Sequence, residues 1–356
     1  MPGESDNAFQ ALRPVVVAGG QEKPELGGGL VRLLIVENTS GLYRCEAAFG
    51  NLGDKDGGSN FLYFDRKTLE FGKAFQVKIG DDVMFDGKIT ALEATFPEGQ
   101  PPEITALAED RFQDLRMTRR TRTFEDVSDS DVFNQIANDH GLSPSVSVTG
   151  PTYKVLAQVN QSDLAFLRER ARSIDAELWM EGSTLNAKPR TSRSSGAFEM
   201  SYGKKLREFC VIADTAGQRT SVTVGGWDVA AKSELKFEAT ESVIGGELNG
   251  DASGASILQS AFGQRKESMV HTVPLTSQQT QAEAEAYFKM SARRFVVGKG
   301  VAETNGKLKV GGFVDLKELG PLFSGKYYLS EVIHRFDGKN GMRTEFVAER
   351  PGLGKP

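Results

Sequence analysis

The chain has 356 residues and a mass of 38.7 kDa, with 43 Lys and Arg against 48 Asp and Glu, for a net charge of −5. That length exceeds one ordinary core and predicts two or three domains, and so mild an acidity gives no sign of a nucleic-acid or membrane-surface protein. Its two cysteines, Cys45 and Cys210, stand far apart without metal spacing, which argues against a disulfide framework or a zinc site.

Residues 1–30 are rich in Gly and Pro, end in Gly27-Gly28-Gly29 and read as an N-terminal arm. No Lys-Ser/Thr follows those glycines and no helix signal begins there, so they do not read as a phosphate-binding loop. The opening MPGESDNAFQALRP is acidic where a secretory signal would be basic, and no apolar run approaches the ~18 residues of a membrane span. The expectation is synthesis and folding in a cytoplasm, without membrane insertion.

Leu30 to Ala48 has the form of a long β-hairpin turning at Thr39-Ser40-Gly41. Strand segments between Phe61 and Gly87, then Ile89 to Phe96 and Ile104 to Ala108, complete a first β domain over 31–111. From 112 to 195 the pattern predicts an α/β insert. It opens with an arginine-rich stretch holding Arg116, Arg119, Arg120 and Arg122, with Arg111 just before. Ser128 with Asp131 is a helix N-cap signal; Val132, Phe133, Ile136 and Ala137 form the apolar face, and Gly141 is the stop. A second helix starts near Asn160 to Ser162 and sets Leu164, Leu167, Ala171, Ile174 and Leu178 on one side, followed by two short strands around Glu181-Gly182-Ser183.

Residues 196–232 read as strands returning to the first β domain, and 233–275 as an excursion or linker. The stretch 276–356 opens with the capping-box signature Thr276 to Gln279 and a helix ending at Arg293 and Arg294, and continues into a second β domain.

That second domain repeats the first. Phe85-Asp86-Gly87-Lys88 is followed by Glu93, Phe96 and Glu109, and Phe323-Ser324-Gly325-Lys326 by Glu331, Phe336 and Glu349, with one two-residue insertion between the Glu and the Phe. Several matches in the same order at near-constant spacing predict two related β units, with Phe85 and Phe323, and Gly87 and Gly325, as equivalent turn and packing positions.

A catalytic constellation does not stand out. His140, His271 and His334 occur singly, no Gly-x-Ser-x-Gly elbow is present, and no carboxylate pair is singled out, so neither an enzyme nor a cofactor is expected. His140 at a helix end and His334 alternating in a strand read as structural. The arginines from Arg111 to Arg122 lack interleaved aromatics, which argues against nucleic acid and for interface charges facing the acids of a neighbouring subunit. Trp227 in Gly-Gly-Trp-Asp reads as a core or intersubunit anchor, and Trp179 as core or interface.

From about residue 30 the chain resembles the phage late control D family, the baseplate hub of contractile tails, also similar to the N-terminal part of VgrG-type spike proteins. The resemblance rests on Phe85 to Ile89, Arg122-Thr123-Phe124, Ser162 to Leu167, Tyr202-Gly203, Gly226-Trp227-Asp228, and Phe323 to Tyr328 through His334 to Arg343-Thr344-Glu345-Phe346. It implies a mainly β fold, with two tube-type β-barrel domains and an α/β insert, in a homotrimer whose six β units match a hexameric tail tube and carry a trimeric spike. It implies as partners the tail tube protein, a separate spike protein and other baseplate proteins, in a phage virion tail or a contractile injection particle. The rival expectations are a tail-associated cell-envelope hydrolase and a carbohydrate- or protein-binding β module.

Overall fold

The computed structural model describes residues 13–55, 57–193, 197–229, 231–270 and 276–355. The fold is mainly β, and its core element is a thirteen-stranded sheet built from two six-stranded units and the two-residue strand Gln21–Glu22, which extends the edge of the first unit.

The first unit comprises β1 (Val15–Ala18), β2 (Leu30–Asn38), β3 (Arg44–Gly50), β4 (Ala74–Ile79), β5 (Asp82–Thr95) and β6 (Glu103–Glu109). Alternate residues of β4 and β6 are buried, the period-two pattern of strands with one face on a core. β2 pairs with β3, β3 with β6, β6 with β5, β5 with β4, and β4 with β1, all antiparallel. Their inner faces bury Ile35, Phe49, Phe75, Val77, Ile89 and Ala106, side chains whose removal from water is worth about 1.5–3 kcal/mol each for the larger ones.

The expected N-terminal arm is therefore corrected from Val15 onward. Val16 and Val17 are buried, and β1 pairs with β4 from Val15↔Lys78 to Ala18↔Phe75. Glycine-rich flanks masked a four-residue apolar strand too short to show a period. Residues 1–12 lie outside the described residues.

In the insert, the strand Arg119–Ser128 pairs with Thr152–Ser162, and Ala176–Glu181 forms a hairpin with Thr184–Pro189. Helix α1 (Asp129–Asp139) begins at a reciprocal capping box between Ser128 and Asp131, and Gly141 beyond its end takes φ +63°. Helix α2 (Asp163–Ser173) is capped by Ser162. It stops before Leu178, which lies on the following strand but still joins Leu164, Leu167 and Ala171 in the insert core. The left-handed Asp175, φ +56°, makes that break.

The second unit comprises β7 (Ala197–Ser201), β8 (Leu206–Ala213), β9 (Val296–Glu303), β10 (Phe313–Lys317), β11 (Gly325–Asp337) and β12 (Gly341–Arg350). β8 pairs with β9, β9 with β12, β12 with β11 and β11 with β10, all antiparallel, while β7 pairs parallel to β10. β7 and β8 thus complete the second unit and not the first, correcting the expected return. Alternation shows that a segment is a strand; it does not show which sheet receives it.

The stretch expected as an excursion is an ordered satellite. Ser221–Asp228 pairs with Ser233–Thr240 on one side and Lys266–Val270 on the other, and helix α3 (Ser277–Arg293) lays Ala284, Phe288 and Ala292 against Val222 and Val224. α3 carries the reciprocal capping box at Thr276 and Gln279. Residues 271–275, and His271 with them, lie outside the described residues.

Candidate functional interface

Five strands of each unit correspond, β2 to β8 through β6 to β12, whereas β1 and β7 take the same edge in opposite directions, antiparallel and parallel to their neighbours; around the strand bulges the two units match residue for residue. In β5, Ile89 opposes Ala108 and Ala91 opposes Leu107, leaving Thr90 as a bulge; in β11, Leu329 opposes Ala348 and Glu331 opposes Val347, leaving Ser330 as the bulge. Both bulged residues carry a hydroxyl that donates across the strand pair, Thr90 Oγ1 to the Leu107 carbonyl at 3.4 Å and Ser330 Oγ to the Val347 carbonyl at 3.3 Å. The approach to each bulge repeats as well. The Gly72 N–H donates to the Ile89 carbonyl at 2.8 Å, and the Gly311 N–H to the Leu329 carbonyl at 3.1 Å. A bulge of this kind, repeated at equivalent positions, bends its strand and increases the local twist.

This register corrects the sequence alignment of the repeat. Phe96 with Phe336 and Glu109 with Glu349 are equivalent, as aligned, and no insertion separates them from the bulges. Phe85, however, corresponds to Gly325, and Gly87 to Tyr327. A two-residue slip leaves every side chain on its own face, so the apolar pattern could not reveal it. Nor are the glycines turn positions. Gly87 lies inside β5 opposite Phe75, where a Cβ would come within 2.2 Å of the Glu109 carbonyl oxygen; Gly325 opens β11 with φ +134°. Phe85 is buried in the first core, and Phe323, at the end of a short helical turn, packs half-buried on the second.

Beyond its bulge, β11 keeps its pairing with β12 on one edge and, on the edge where β10 has ended, takes β2 of the first unit, from Glu331↔Asn38 to Asp337↔Arg32. This joint makes one sheet of the two units. Phe336 and Leu33 oppose each other across it, and both sit in the first core, only 8% and 3% exposed. His334 opposes Ile35, is fully buried, and holds Thr344 Oγ1 at 2.8 Å from Nδ1. Burial pushes this imidazole down to about 4, so it is neutral at physiological pH.

The equivalent parts of the other two strands have no such partner. Beyond Thr90, β5 pairs with β6 alone, and from Glu208 β8 pairs with β9 alone, among the described residues. Phe96 is 65% exposed, resting on Phe61 and Phe64 with ring centroids 6.3 and 5.7 Å away, and Ile212 on β8 is 60% exposed. The open face of the second unit forms a groove of about 1000 Å³ in which Lys299 and Glu345 alternate with Val301, Ile333 and Val347, beside Cys210.

Buried ionic contacts fasten the insert to this frame. Arg193, 5% exposed, pairs with Glu177 at 2.9 Å, donates to the Tyr43 hydroxyl and lies over the Trp179 ring at 4.5 Å. Arg190 pairs with Glu349 and stacks 3.6 Å from the Tyr328 ring centroid, while the Tyr328 hydroxyl donates to Glu177. Arg293 at the end of α3 clamps Glu247 and Asp175 together. Asp110, where the first unit passes into the insert, accepts from the Tyr43 and Phe112 N–H groups at 2.8 and 2.9 Å; burial raises its carboxyl to about 7 against those bonds.

The predicted interface arginines find most of their acids within the chain. Arg120 and Arg122 converge on Asp163, which also receives Gln158 and faces His140 Nε2 at 2.8 Å; Arg122 reaches Asp139 besides. Burial works to raise Asp163, and the bonds from His140 and Gln158 with the two arginines outweigh it and hold the carboxyl below its usual range. Arg116 pairs with Glu109 and Arg111 lies 3.9 Å from Asp114; Arg119 is left exposed. Trp227 is 51% exposed, which rules out the core reading for it, whereas Trp179 is buried. Arg190, Arg193 and the β2–β11 joint escaped sequence reading, since nothing local marks the contacts of Arg190 with Glu349, of Arg193 with Tyr43, or of β11 with β2, each made across more than a hundred positions.

Among the described residues, no group of three or more His, Cys, Asp or Glu is placed to hold a metal ion, and no helix is long and apolar enough to cross a membrane.

The fold is that of tail proteins. The 43 kDa tail protein of prophage MuSo2 from Shewanella oneidensis superposes with a TM-score of 0.70 at 12% identity, covering 95% of this chain and 98% of that one. A tail protein from Neisseria meningitidis gives 0.68 at 14%, covering 96% and 97%. An E. coli component of the type VI secretion system, described as structurally similar to T4 bacteriophage tail proteins gp27 and gp5, gives 0.57 at 10%, covering 92% and 76%. By sequence, the chain belongs to the family described as the Alg8 N-terminal domain, whose model matches residues 47–337. That is a different family name from late control D, and it states no activity. Comparison with curated proteins returns no match.

Proposed function

We propose that this chain is the baseplate hub of a contractile tail or contractile injection system, of the late control D kind. In this reading it is a homotrimer, and its mechanism is mechanical, without catalysis. The observation that carries the proposal is the pair of register-matched units joined edge to edge in one sheet. Three copies present six near-equivalent units, and so turn a three-fold object into one that a six-fold ring can dock on. The tail-protein fold over nearly the whole chain supports the same reading.

The hexameric tail tube would sit on one face of the ring and a separate trimeric spike on the other, after synthesis in a bacterial cytoplasm and assembly into a virion tail or injection particle. The insert and the satellite sheet lie outside the joint and are the natural contacts for other baseplate proteins, with Arg119 and the exposed Trp227 facing outward there. The test is simultaneous binding. Immobilised hub is offered the purified tube and spike proteins of the same machine, singly and together. Additive signals from the two support opposite docking faces; a hub that binds neither contradicts the adapter role.

A further inference from the structure

Within the chain, the far half of β11 is covered by β2, while the far half of its equivalent, β5, is bare, and so is the edge of β8, the equivalent of β2. The occupied joint supplies the register for the bare one. Ile35 opposes Cys45 and Cys45 opposes Ala108; Val211 opposes Gly298 and Gly298 opposes Ala348. Ile35 and Val211 are therefore equivalent, just as Ala94 and His334 are through their common distance from the bulges. From this symmetry we infer that the Ala91–Pro97 edge of β5 pairs antiparallel with the Glu208–Asp214 edge of β8 in a second copy, with Ala94 opposite Val211, Thr95 opposite Cys210 and Phe96 opposite Phe209. The pairing itself follows from the internal repeat; the count of three copies in the closed ring rests on the hub reading above.

The chemistry of both edges agrees with that occupant. Phe96 corresponds to Phe336, which is 8% exposed because β2 covers it, yet Phe96 is itself 65% exposed. In the inferred register it enters the second core of the neighbouring copy beside Phe209, which already stacks on Phe346 at 6.2 Å. The joint between copies then matches the joint within the chain, Phe336 beside Leu33. Ala94 and Leu92 meet Val211 and Ala213 on the same core side, and Ile212, 60% exposed in one chain, lies opposite Glu93 on the open face. A bare strand edge with its main-chain donors and acceptors unpaired is a template for another strand, and here the chain carries both halves of the template.

Cys210 is exposed and Cys45 is buried, so a single new thiol tests the register. Glu93→Cys, Thr95→Cys and Pro97→Cys all lie on the face of Cys210. Under a mild oxidant, which takes up the two electrons and two protons lost when two thiols join, Thr95→Cys is expected to give the strongest intermolecular disulfide, extending to a closed set of linked chains. Phe96→Asp is expected to weaken self-association on the order of thirtyfold, the effect of losing a central aromatic anchor, with thermal unfolding of the monomer unchanged. An oligomer that links best through Glu93→Cys, or that forms without any Thr95→Cys link, overturns the pairing and leaves the hub reading standing. Linking through Thr95→Cys into assemblies other than three copies supports the pairing and overturns the trimer. A chain that stays monomeric and unlinked at every concentration overturns both.

Discussion

His334 lies at the joint as a neutral imidazole, and its pH response has a definite sign. Burial lowers it from 6.5 to about 4. Between those values the unfolded chain takes up a proton that the folded chain refuses. Stability from this group is thus fully present above pH 6.5 and is lost as the pH falls towards 4, by roughly 3 kcal/mol. Urea titrations of the wild type and His334→Asn at pH 7 and pH 4.5 should show a shallower acid loss in the variant; equal slopes would mean that the imidazole is solvated. Arg193 makes a different prediction. Arg193→Ala leaves Glu177 and the Tyr43 hydroxyl buried without their cation and should cost roughly 3–5 kcal/mol in chemical unfolding, far more than removal of the exposed Arg119. At this scale the sequence was readable for residues whose role is local. His140 does stand at the end of a helix, although its partner, Asp163, belongs to another element. It was silent for Arg190 and Arg193 and left Trp227 between core and interface, because their burial or exposure is decided by chain segments far away in sequence.

The helix starts were readable because capping is settled within four residues: Ser128 with Asp131 and Thr276 with Gln279 close reciprocal boxes as their spacing indicated. Ser128→Ala should destabilise the insert by about 1 kcal/mol, measured by thermal unfolding. Strands were readable as strands, because period-two burial is also local, but their partners were not. The sequence pattern places β7 and β8 with the first unit and β1 in an arm, whereas the structure pairs them elsewhere, because pairing joins segments across long loops that carry no signal of their destination. The repeat was legible, while its register was not, since a shift by two preserves the face of every residue. Gly87 shows what decides such a position physically. Gly87→Ala would force a methyl against the Glu109 carbonyl across the β5–β6 pair and should lower stability by about 3 kcal/mol; tolerance of that change would mean that the strands separate there at little cost.

For the whole molecule, composition bounded the number of cores, and the structure distributes them as two β units, an insert and a satellite sheet. The mainly β fold with an α/β insert was legible; the satellite was not, because its third strand, Lys266–Val270, joins the first only after a long intervening segment and its core closes only when α3 returns to cover it. The central claim is that one chain supplies two equivalent sectors of a ring and that the ring closes with three chains. Static light scattering on the purified chain, alone and with the spike protein, tests it most directly. The account predicts a particle of three 38.7 kDa chains, formed alone or on addition of the spike. A mass of one chain under both conditions, across the accessible concentration range, would contradict it.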